Sequence, residues 1–473
     1  MSSSQSRIEK DLLGEKSIPA NAYWGVHTSR ALDNYQITGF PLYNAPELVN
    51  ALVSVKWSAA KANADLNVIP RDIAEAIGKA CLEIRQGRLH DQFVVDVIQG
   101  GAGTSTNMNA NEVVANRAIE LLGGKKGNYK LVHPIEHVNA SQSTNDVYPT
   151  AVKIGLINAI VGLSREMSLL KEAFAEKANQ FQHVLKIGRT QLQDAVPMTL
   201  GQEFSAFSVM IAEDTLRLQE AISLIHEINL GATAIGTGIN TDPEYASRAR
   251  GYLVELTELE LVTAANLVEA TQDTGAFVQL SGVLKRIAVK LSKVCNDLRL
   301  LSSGPQAGLN EINLPAKAAG SSIMPGKVNP IIPEVVNQVA FEVIGNDVTV
   351  TMAAEAGQLQ LNAFEPIIAW SLFKSIYHLT AACNTLTINC VQGITANEAL
   401  LRERVNSSAS LATALNPYIG YDQASEIAKL ALKTGRRVDE LVLEKNLLTK
   451  EELSEIVKPE VLTQPRRIIN KKP

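Results

Sequence analysis

Apolar residues recur at helical spacing over unusually long stretches of the chain. In residues 280–301 they lie alternately four and three positions apart, which is typical of a helix that packs along its whole length. Residues 156–174 and 199–228 have compatible spacing, and no alternating β pattern is comparably strong. Helices of about 25–30 residues exceed the usual three turns and need partners along their apolar faces. The pattern therefore predicts an all-α protein built around a bundle of long helices.

Polar and glycine-rich segments separate the predicted helices. Segments of this kind, held on a rigid scaffold, are where binding residues commonly lie. We expect an N-terminal, mainly helical domain of residues 1–142, a central helical bundle of residues 143–398 and a small C-terminal helical domain of residues 399–473. The candidate binding loops are residues 100–105, 141–146, 188–194 and 320–330.

The bulk composition restricts the classes of function. The 473 residues carry a net charge of −5 without a concentrated basic region, so the chain has no electrostatic footprint for nucleic acid. Residues 1–16 are polar and contain no apolar signal segment, and no apolar run approaches the roughly 18 residues that suggest a membrane span. The four scattered cysteines are typical of reduced thiols. We therefore expect a cytoplasmic protein that binds neither nucleic acid nor a membrane.

The glycine-rich segments do not fit a nucleotide site. Residues 100–103 and 231–238 lack the G-x-G-x-x-G register of a strand–turn–helix unit. Between Gly320 and Lys327 there is one residue too many for a P-loop, and Val328 stands where a serine or threonine would bind magnesium.

His133 and His137 are four positions apart, a spacing that suits two metal ligands on a helix. Pro134 and the lack of nearby acidic or cysteine partners favour a loop instead. The other histidines are isolated, and no G-x-S-x-G segment supports serine hydrolase chemistry. The sequence therefore predicts no metal and no cofactor.

Residues 320–330 have the composition of a binding site for a small polyanion. Two glycines hinge a segment that contains adjacent serines, a lysine and an asparagine. Hydroxyl and amide donors around one positive charge suit such a ligand. A structural role as a helix cap is enough to explain a residue such as Thr199, but it explains this segment poorly.

The same eleven residues, GSSIMPGKVNP, resemble the signature of the fumarase/aspartase superfamily. The similarity extends through residues 100–111, 142–146 and 188–203 and covers nearly the whole chain from Arg7 onward. The resemblance implies an all-α fold of three domains with a central bundle of five long helices. It also implies a homotetramer in which the four bundles form one core of twenty helices and the active sites are shared between subunits.

Three further segments, residues 7–39, 229–238 and 352–362, resemble the branch of this superfamily that deaminates aspartate. Gln191 supports that branch chemically, because fumarases and several relatives have histidine there. Glutamine cannot titrate, and expelling hydroxide from malate needs a proton donor, whereas an ammonium group already carries its proton. The resemblance therefore implies the reversible elimination of ammonia from L-aspartate to give fumarate.

By the same resemblance, Ser321 is the base that removes the proton beside the β-carboxylate. A serine hydroxyl is a very weak acid, so its alkoxide would need backbone N–H groups and the charge of Lys327 nearby. We expect Glu334 to pair with and orient Lys327, and the loop to close as a lid. The residues implied to bind the small dicarboxylate substrate are Thr104, Ser143, Thr144 and Ser322 at the β-carboxylate, Lys327 and Asn329 at the α-carboxylate, and Asn145, Thr190 and Gln191 at the amino group.

Two alternative functions stay open on the sequence alone, a fumarase-type hydro-lyase and a helical scaffold without activity. The intact Ser321, Lys327 and Asn329 argue against the scaffold. Relatives have a second dicarboxylate site around the segment equivalent to residues 133–139. Ile135 departs from the polar residue typical of fumarases, so we do not expect that site here.

Overall fold

Helices dominate the computed structural model, which describes residues 6–465 and residue 467, and the all-α prediction is confirmed. Residues 1–5, 466 and 468–473 lie outside the described residues. They include part of the polar N-terminal segment and the end of the predicted C-terminal domain. The helices are α1 (Val26–Asn34), α2 (Pro46–Asp65), α3 (Arg71–Arg85), α4 (Thr104–Leu121), α5 (Thr144–Gln180), α6 (Leu200–Ile225), α7 (Tyr245–Thr257), α8 (Leu267–Ala270), α9 (Gly275–Leu301), α10 (Ile331–Glu355), α11 (Glu365–Asn389), α12 (Glu398–Ser407), α13 (Leu411–Ile419), α14 (Tyr421–Thr434), α15 (Val438–Glu444), α16 (Lys450–Ile456) and α17 (Pro459–Leu462).

Short strands and single helical turns connect these helices. The strands pair as two-stranded sheets, β1 with β2, β3 with β4, β5 with β6 and β7 with β8. Their bounds are β1 (Ser6–Asp11), β2 (Gly14–Pro19), β3 (Leu185–Thr190), β4 (Gln193–Thr199), β5 (Glu227–Ile228), β6 (Val262–Thr263), β7 (Ile312–Asn313) and β8 (Thr395–Ala396). The single turns are Leu42–Asn44, His90–Gln92, Pro134–Val138 and Val391–Gly393.

The three long helices expected from apolar spacing are present as α5, α6 and α9. Every residue of the four-and-three pattern from Leu280 to Leu301 is buried, as a packed helix requires. α5 extends over 37 residues and accommodates Pro149 near its start. α10 and α11, with 25 residues each, complete the set of long helices that a five-helix bundle needs.

The chain forms two compact units. Unit 1 consists of residues 1–164, 216–288 and 341–379, and unit 2 of residues 165–215, 289–340 and 380–473. Each of the five long helices contributes residues to both units. The predicted domain boundaries near residues 142 and 398 divide the chain differently and stay a prediction.

In unit 1, a buried carboxylate fixes the start of α1 against α4. Glu112 of α4 accepts hydrogen bonds from the backbone N–H groups of Gly25, His27 and Thr28 at 2.7–3.1 Å. Burial raises the pKa of Glu112 to about 7, although these hydrogen bonds oppose the shift. The β1–β2 hairpin lies just ahead of α1 in the chain, an element that the apolar spacing did not predict.

Polar contacts join neighbouring long helices within unit 1. Asp347 of α10 accepts hydrogen bonds from Ser281 at 2.8 Å and Lys285 at 2.6 Å, both on α9. Asn346 of α10 donates to Ser375 of α11 at 3.0 Å. α10 therefore packs against both α9 and α11, as in a bundle.

In unit 2, the long helices enclose an aromatic core. The rings of Phe174 on α5 and of Phe204 and Phe207 on α6 lie with their centroids 5.6–6.1 Å apart. Thr199 and Gln202 exchange hydrogen bonds at 3.0 Å at the start of α6, which confirms the capping role expected of Thr199. The small helices α13 to α16 have an apolar core of their own.

One helix in the described part of the chain, α5, is long and apolar enough to cross a membrane. The sequence analysis did not predict such a helix, because no uninterrupted apolar run approaches the length of a membrane span. Of its most apolar 18-residue window, 72% is buried inside the protein, which is typical of a core helix.

The four cysteines are free and buried, in agreement with their interpretation as reduced thiols. Burial raises the pKa of each thiol, that of Cys383 and Cys390 to about 12.

Candidate active site

The predicted residue Thr104 is the first residue of α4 and follows a glycine-rich turn. Gly103 before it has a φ of +89°, and a Cβ there would lie 2.5 Å from the Tyr148 ring, so only glycine fits. The Thr104 hydroxyl is exposed and donates to the Gly101 carbonyl at 2.7 Å. Thr104 thus lies at the N-terminus of α4, where the helix dipole favours an anion.

Ser143, Thr144 and Asn145 lie at the start of α5, in the same unit as Thr104. Thr144 Oγ1 accepts a hydrogen bond from Asn107 Nδ2 of α4 at 3.1 Å, which joins the two helix starts. Asn145 Nδ2 donates to the Ala234 carbonyl at 2.8 Å, so the Asn145 Oδ1 atom, an acceptor, points away from that carbonyl. An acceptor beside two helix N-termini suits a ligand that carries both carboxylate and ammonium groups.

Asp146 holds this segment in place, a role that the sequence analysis did not assign. Its buried carboxylate accepts hydrogen bonds from the backbone N–H groups of Ser143 at 2.9 Å, Gly231 at 3.1 Å and Thr233 at 2.9 Å. Burial raises the pKa of Asp146 to about 6, opposed by these hydrogen bonds and by the charge of Lys56. Asp146 therefore ties the start of α5 to the segment that follows β5.

Lys56 of α2 is a second residue that the sequence analysis missed. Its buried Nζ donates to Asn107 Oδ1 at 2.6 Å, Asn139 Oδ1 at 2.8 Å and Gln142 Oε1 at 2.9 Å. Burial lowers the pKa of Lys56 to about 7, against the opposing charge of Asp146. A lone lysine in the apolar residues 51–60 is the sequence signal that could have identified it.

Thr190 and Gln191 lie in unit 2, at the tip of the β3–β4 hairpin. The sequence predicted a loop over residues 188–194, and that prediction is wrong because residues 185–190 and 193–199 pair as antiparallel strands. Gln191 and Leu192 have φ values of 56° and 64°, which is the backbone of a type I′ turn. Neither residue is the usual asparagine or glycine of such a turn, so the hairpin was not evident from the sequence.

A buried charge cluster supports this hairpin. Glu311 is 1% exposed and pairs with Lys186 at 2.8 Å and with Arg189 at 2.5 Å. Burial opposes ionisation of Glu311, yet Arg189 and Lys186 outweigh it and hold its pKa below the ordinary value. The strand that carries Thr190 is therefore fixed to the segment that leads into residues 320–330.

The loop with Ser321 folds back on itself in unit 2. Ser321 N donates to the Lys327 carbonyl at 3.1 Å, and a Cβ on Gly320 would lie 1.6 Å from that carbonyl oxygen. Ser321 Oγ accepts hydrogen bonds from the backbone N–H groups of Ile323 and Met324, both at 3.3 Å. These are donors of the kind that a serine alkoxide requires.

Lys327 and Asn329 line a cavity of about 450 Å³ together with Arg299 and Asn310. Glu334 lies in the first turn of α10, but the ion pairs of the described residues do not include one between Glu334 and Lys327. Their pairing stays a prediction. Ser322 is exposed within the same loop.

The predicted site residues thus form two groups. Thr104 and residues 143–145 belong to unit 1, whereas Thr190, Gln191 and the 320–330 loop belong to unit 2. In the first group, Asn107 of α4 donates to Thr144, and in the second the Glu311 cluster supports the β3–β4 hairpin.

Comparison with known proteins identifies the family. A family model described as lyase matches residues 14–345, and one described as the fumarase C C-terminus matches residues 411–464. Aspartate ammonia-lyases from Pseudomonas fluorescens and Escherichia coli strain K12 are 57% and 54% identical over 470 and 464 residues. These alignments cover 99% and 98% of this chain and 98% and 97% of the relatives. The chain belongs to the fumarase/aspartase superfamily.

Solved structures of the fumarase/aspartase superfamily share the fold. A fumarate lyase:delta crystallin from Brucella melitensis, solved with cobalt bound, has a TM-score of 0.95 and 54% identity, with coverage of 98% of this chain and 100% of that one. A class II fumarase from Schistosoma mansoni has a TM-score of 0.88 and 36% identity, with coverage of 96% and 98%. The resemblance seen in the sequence is confirmed.

The segment around His133 and His137 differs from the loop that the sequence predicted, because it contains a helical turn. Pro134–Val138 forms one helical turn, with Pro134 in its first position, where a missing N–H costs nothing. His133 Nδ1 accepts from the N–H groups of Ile135 and Glu136 at 3.1 Å, and His137 Nδ1 accepts from His133 N at 3.0 Å. Within residues 6–465 and 467, no group of three His, Cys, Asp or Glu side chains could hold a metal ion.

Proposed function

We propose that this chain is an aspartate ammonia-lyase, which reversibly eliminates ammonia from L-aspartate to give fumarate. The observation that carries the proposal is the sequence identity of 54–57% to aspartate ammonia-lyases over nearly the whole chain. The identity to a solved fumarase is 36%. Gln191 is consistent with it, because a side chain that cannot titrate suits a leaving group that brings its own proton.

In the proposed reaction, Ser321 removes a proton from the carbon beside the β-carboxylate, and negative charge accumulates on that carboxylate as an enediolate. The N–H groups of Ile323 and Met324 would stabilise the Ser321 alkoxide, and Lys327 would supply positive charge. The C–N bond then breaks, its electron pair leaves with the nitrogen, and ammonia departs.

The remaining predicted residues would bind the groups around the reacting carbons. Donors that are already oriented toward the enediolate lower the barrier because no reorganisation is needed as charge develops. Closure of the 320–330 loop would deliver Ser321 and exclude water. We assign Thr104, Ser143, Thr144 and Ser322 to the β-carboxylate, Lys327 and Asn329 to the α-carboxylate, and Asn145, Thr190 and Gln191 to the amino group, with Glu334 orienting Lys327.

We also propose that the protein is a cytoplasmic homotetramer with active sites shared between subunits. An exposed apolar stripe on α10 supports an assembly. Phe341, Val348 and Met352 are seven and four positions apart, lie on one helical face and are 56–67% exposed. Such a stripe is unfavourable in water, and helices of further subunits would bury it.

The proposal is tested by mixing purified protein with L-aspartate or L-malate and following the ultraviolet absorbance of fumarate. Groups arranged to hold an ammonium reject an analogue that leaves them unpaired by a factor that can reach about 10⁴. We therefore expect rapid turnover of aspartate and poor turnover of malate and N-substituted aspartates. Comparable rates with malate would favour a hydro-lyase, and no turnover of either would favour a scaffold.

A further inference from the structure

The segment after β5 contains a residue that the proposed mechanism does not use and that packing does not explain. Thr233 has a φ of 56°, a backbone conformation that is rare for any residue with a side chain and exceptional for a β-branched one. Glycine or asparagine would fit this conformation at lower cost. Strained residues of this kind concentrate at binding and catalytic sites.

The hydroxyl of Thr233 is itself unusual. The residue is 6% exposed, and its Oγ1 atom is buried without a hydrogen-bond partner in the described protein. A buried polar group without a partner destabilises the fold, and a valine of the same shape would avoid that cost. Both the backbone and the side chain therefore favour a different residue here, unless the hydroxyl has a ligand to bind.

Hydrogen bonds hold Thr233 next to Asn145, a residue that we assign to the amino group of the substrate. Thr233 N donates to Asp146 at 2.9 Å, and the following residue, Ala234, accepts from Asn145 Nδ2 at 2.8 Å. Asn229 Nδ2 also donates to the Asn145 carbonyl at 3.0 Å. Thr233 is buried and the next residue, Ala234, is exposed, so Thr233 lies directly beneath the protein surface beside Asn145.

We propose that Thr233 is a further substrate contact, whose hydroxyl accepts a hydrogen bond from the ammonium group of aspartate beside Asn145 Oδ1. The inference rests on the proposed function. It makes the segment that follows β5 part of the site: Asp146 fixes the backbone, Ala234 orients the Asn145 amide, and the Thr233 hydroxyl faces the ligand. An ammonium has three N–H donors that need acceptors when it leaves water. Of the residues assigned to it, Asn145 is the one in unit 1, and Thr233 would add a second acceptor there.

The test compares full-length Thr233→Val with Thr233→Ser. Valine keeps the shape and the backbone strain and removes only the hydroxyl, whereas serine keeps the hydroxyl. We expect Thr233→Val to lower kcat/KM for aspartate by about tenfold or more and Thr233→Ser to retain it within about threefold, since a hydrogen bond to a charged group is lost in the first alone. The inhibition constant of succinate, which has no amino group, should not change. The Tm of Thr233→Val should stay the same or rise.

Controls separate this role from a structural one. Thr387→Val removes a buried hydroxyl that donates to the Cys383 carbonyl at 2.8 Å, and it should lower the Tm without changing KM. If Thr233→Val behaves in the same way, or weakens succinate as much as aspartate, the inference is wrong. Thr233→Gly, which fits the backbone and also lacks the hydroxyl, gives the same comparison if the valine variant does not fold. Wild-type protein that leaves aspartate unchanged would overturn the proposed function and this inference together.

Discussion

The two groups of predicted site residues are built differently. Around Thr144, side chains from α2 and α4 and the backbone after β5 supply hydrogen bonds, and Lys56 and Asp146 are fully buried. Around Ser321, the hydrogen bonds come from within residues 320–330 itself, and residues 322–329 are exposed. The first group is fixed by the fold, whereas the Ser321 loop of the second group is held mainly by its own backbone.

This difference matches two demands of the proposed reaction. Donors that stabilise an enediolate act best when they are already in place, which requires a rigid surround. A loop that admits substrate and then delivers a base must open and close, and such segments have few buried contacts. The first group would then hold substrate in a rigid surround, whereas the second would contain both binding residues and the base Ser321 on a loop that closes.

Replacing Ser321 should have the largest effect. If Ser321 is the base, Ser321→Ala should reduce turnover by about 10³-fold or more, because no other group takes its proton-removing role. Its Tm should hardly change, since the side chain bonds only within its loop. Ser408→Ala is a matched control, because Ser408 Oγ also accepts from a backbone N–H, that of Ser410 at 3.2 Å, and turnover should survive. Retention of more than about a tenth of turnover in Ser321→Ala would remove Ser321 from the role.

Mixing two inactive variants tests whether the groups come from different subunits. Thr144→Ala damages the first group and Ser321→Ala the second. When the two are unfolded and refolded together in equal amounts, an intact site needs one group from each variant chain, so about one half times one half, or a quarter, of the sites should be restored. Refolding each variant alone is the control. Mixed tetramers, confirmed by mass, that stay inactive would show that each site is built within one chain.

The smallest expected effect is on the pH dependence of stability, and it concerns Glu112, which lies on the same helix, α4, as Thr104 of the first group. Burial raises the pKa of Glu112 from 4.5 to about 7, so the folded protein binds a proton that the unfolded chain releases. The proton bound by folded Glu112 contributes up to about 3 kcal/mol to the free energy of unfolding. This contribution is complete below pH 4.5 and is lost as the pH rises through about 7. Thermal unfolding of Glu112→Gln between pH 5 and 8 should lack that loss, whereas the exposed Glu75→Gln should follow wild type. Parallel curves for wild type and Glu112→Gln would refute the prediction.

Apolar spacing was sufficient to predict the helical fold, because a long packed helix needs apolar residues at helical spacing along its whole buried face. The site residues followed from the resemblance of short motifs. Lys56 and Asp146 were missed because their partners lie far away in the chain: Asp146 bonds residues 85 and 87 positions later. The β3–β4 hairpin was missed because Gln191 and Leu192 form its turn without the usual asparagine or glycine.

The four buried thiols should oxidise slowly while the protein stays folded. Oxidants and alkylating reagents attack the thiolate, and burial both blocks access and raises the pKa of Cys81, Cys295, Cys383 and Cys390. Each sulfur becomes reactive only when the chain around it opens, so its rate of alkylation measures that opening. Cys81 would report on α3 in unit 1, and the other three on α9, α11 and the chain just after α11 in unit 2.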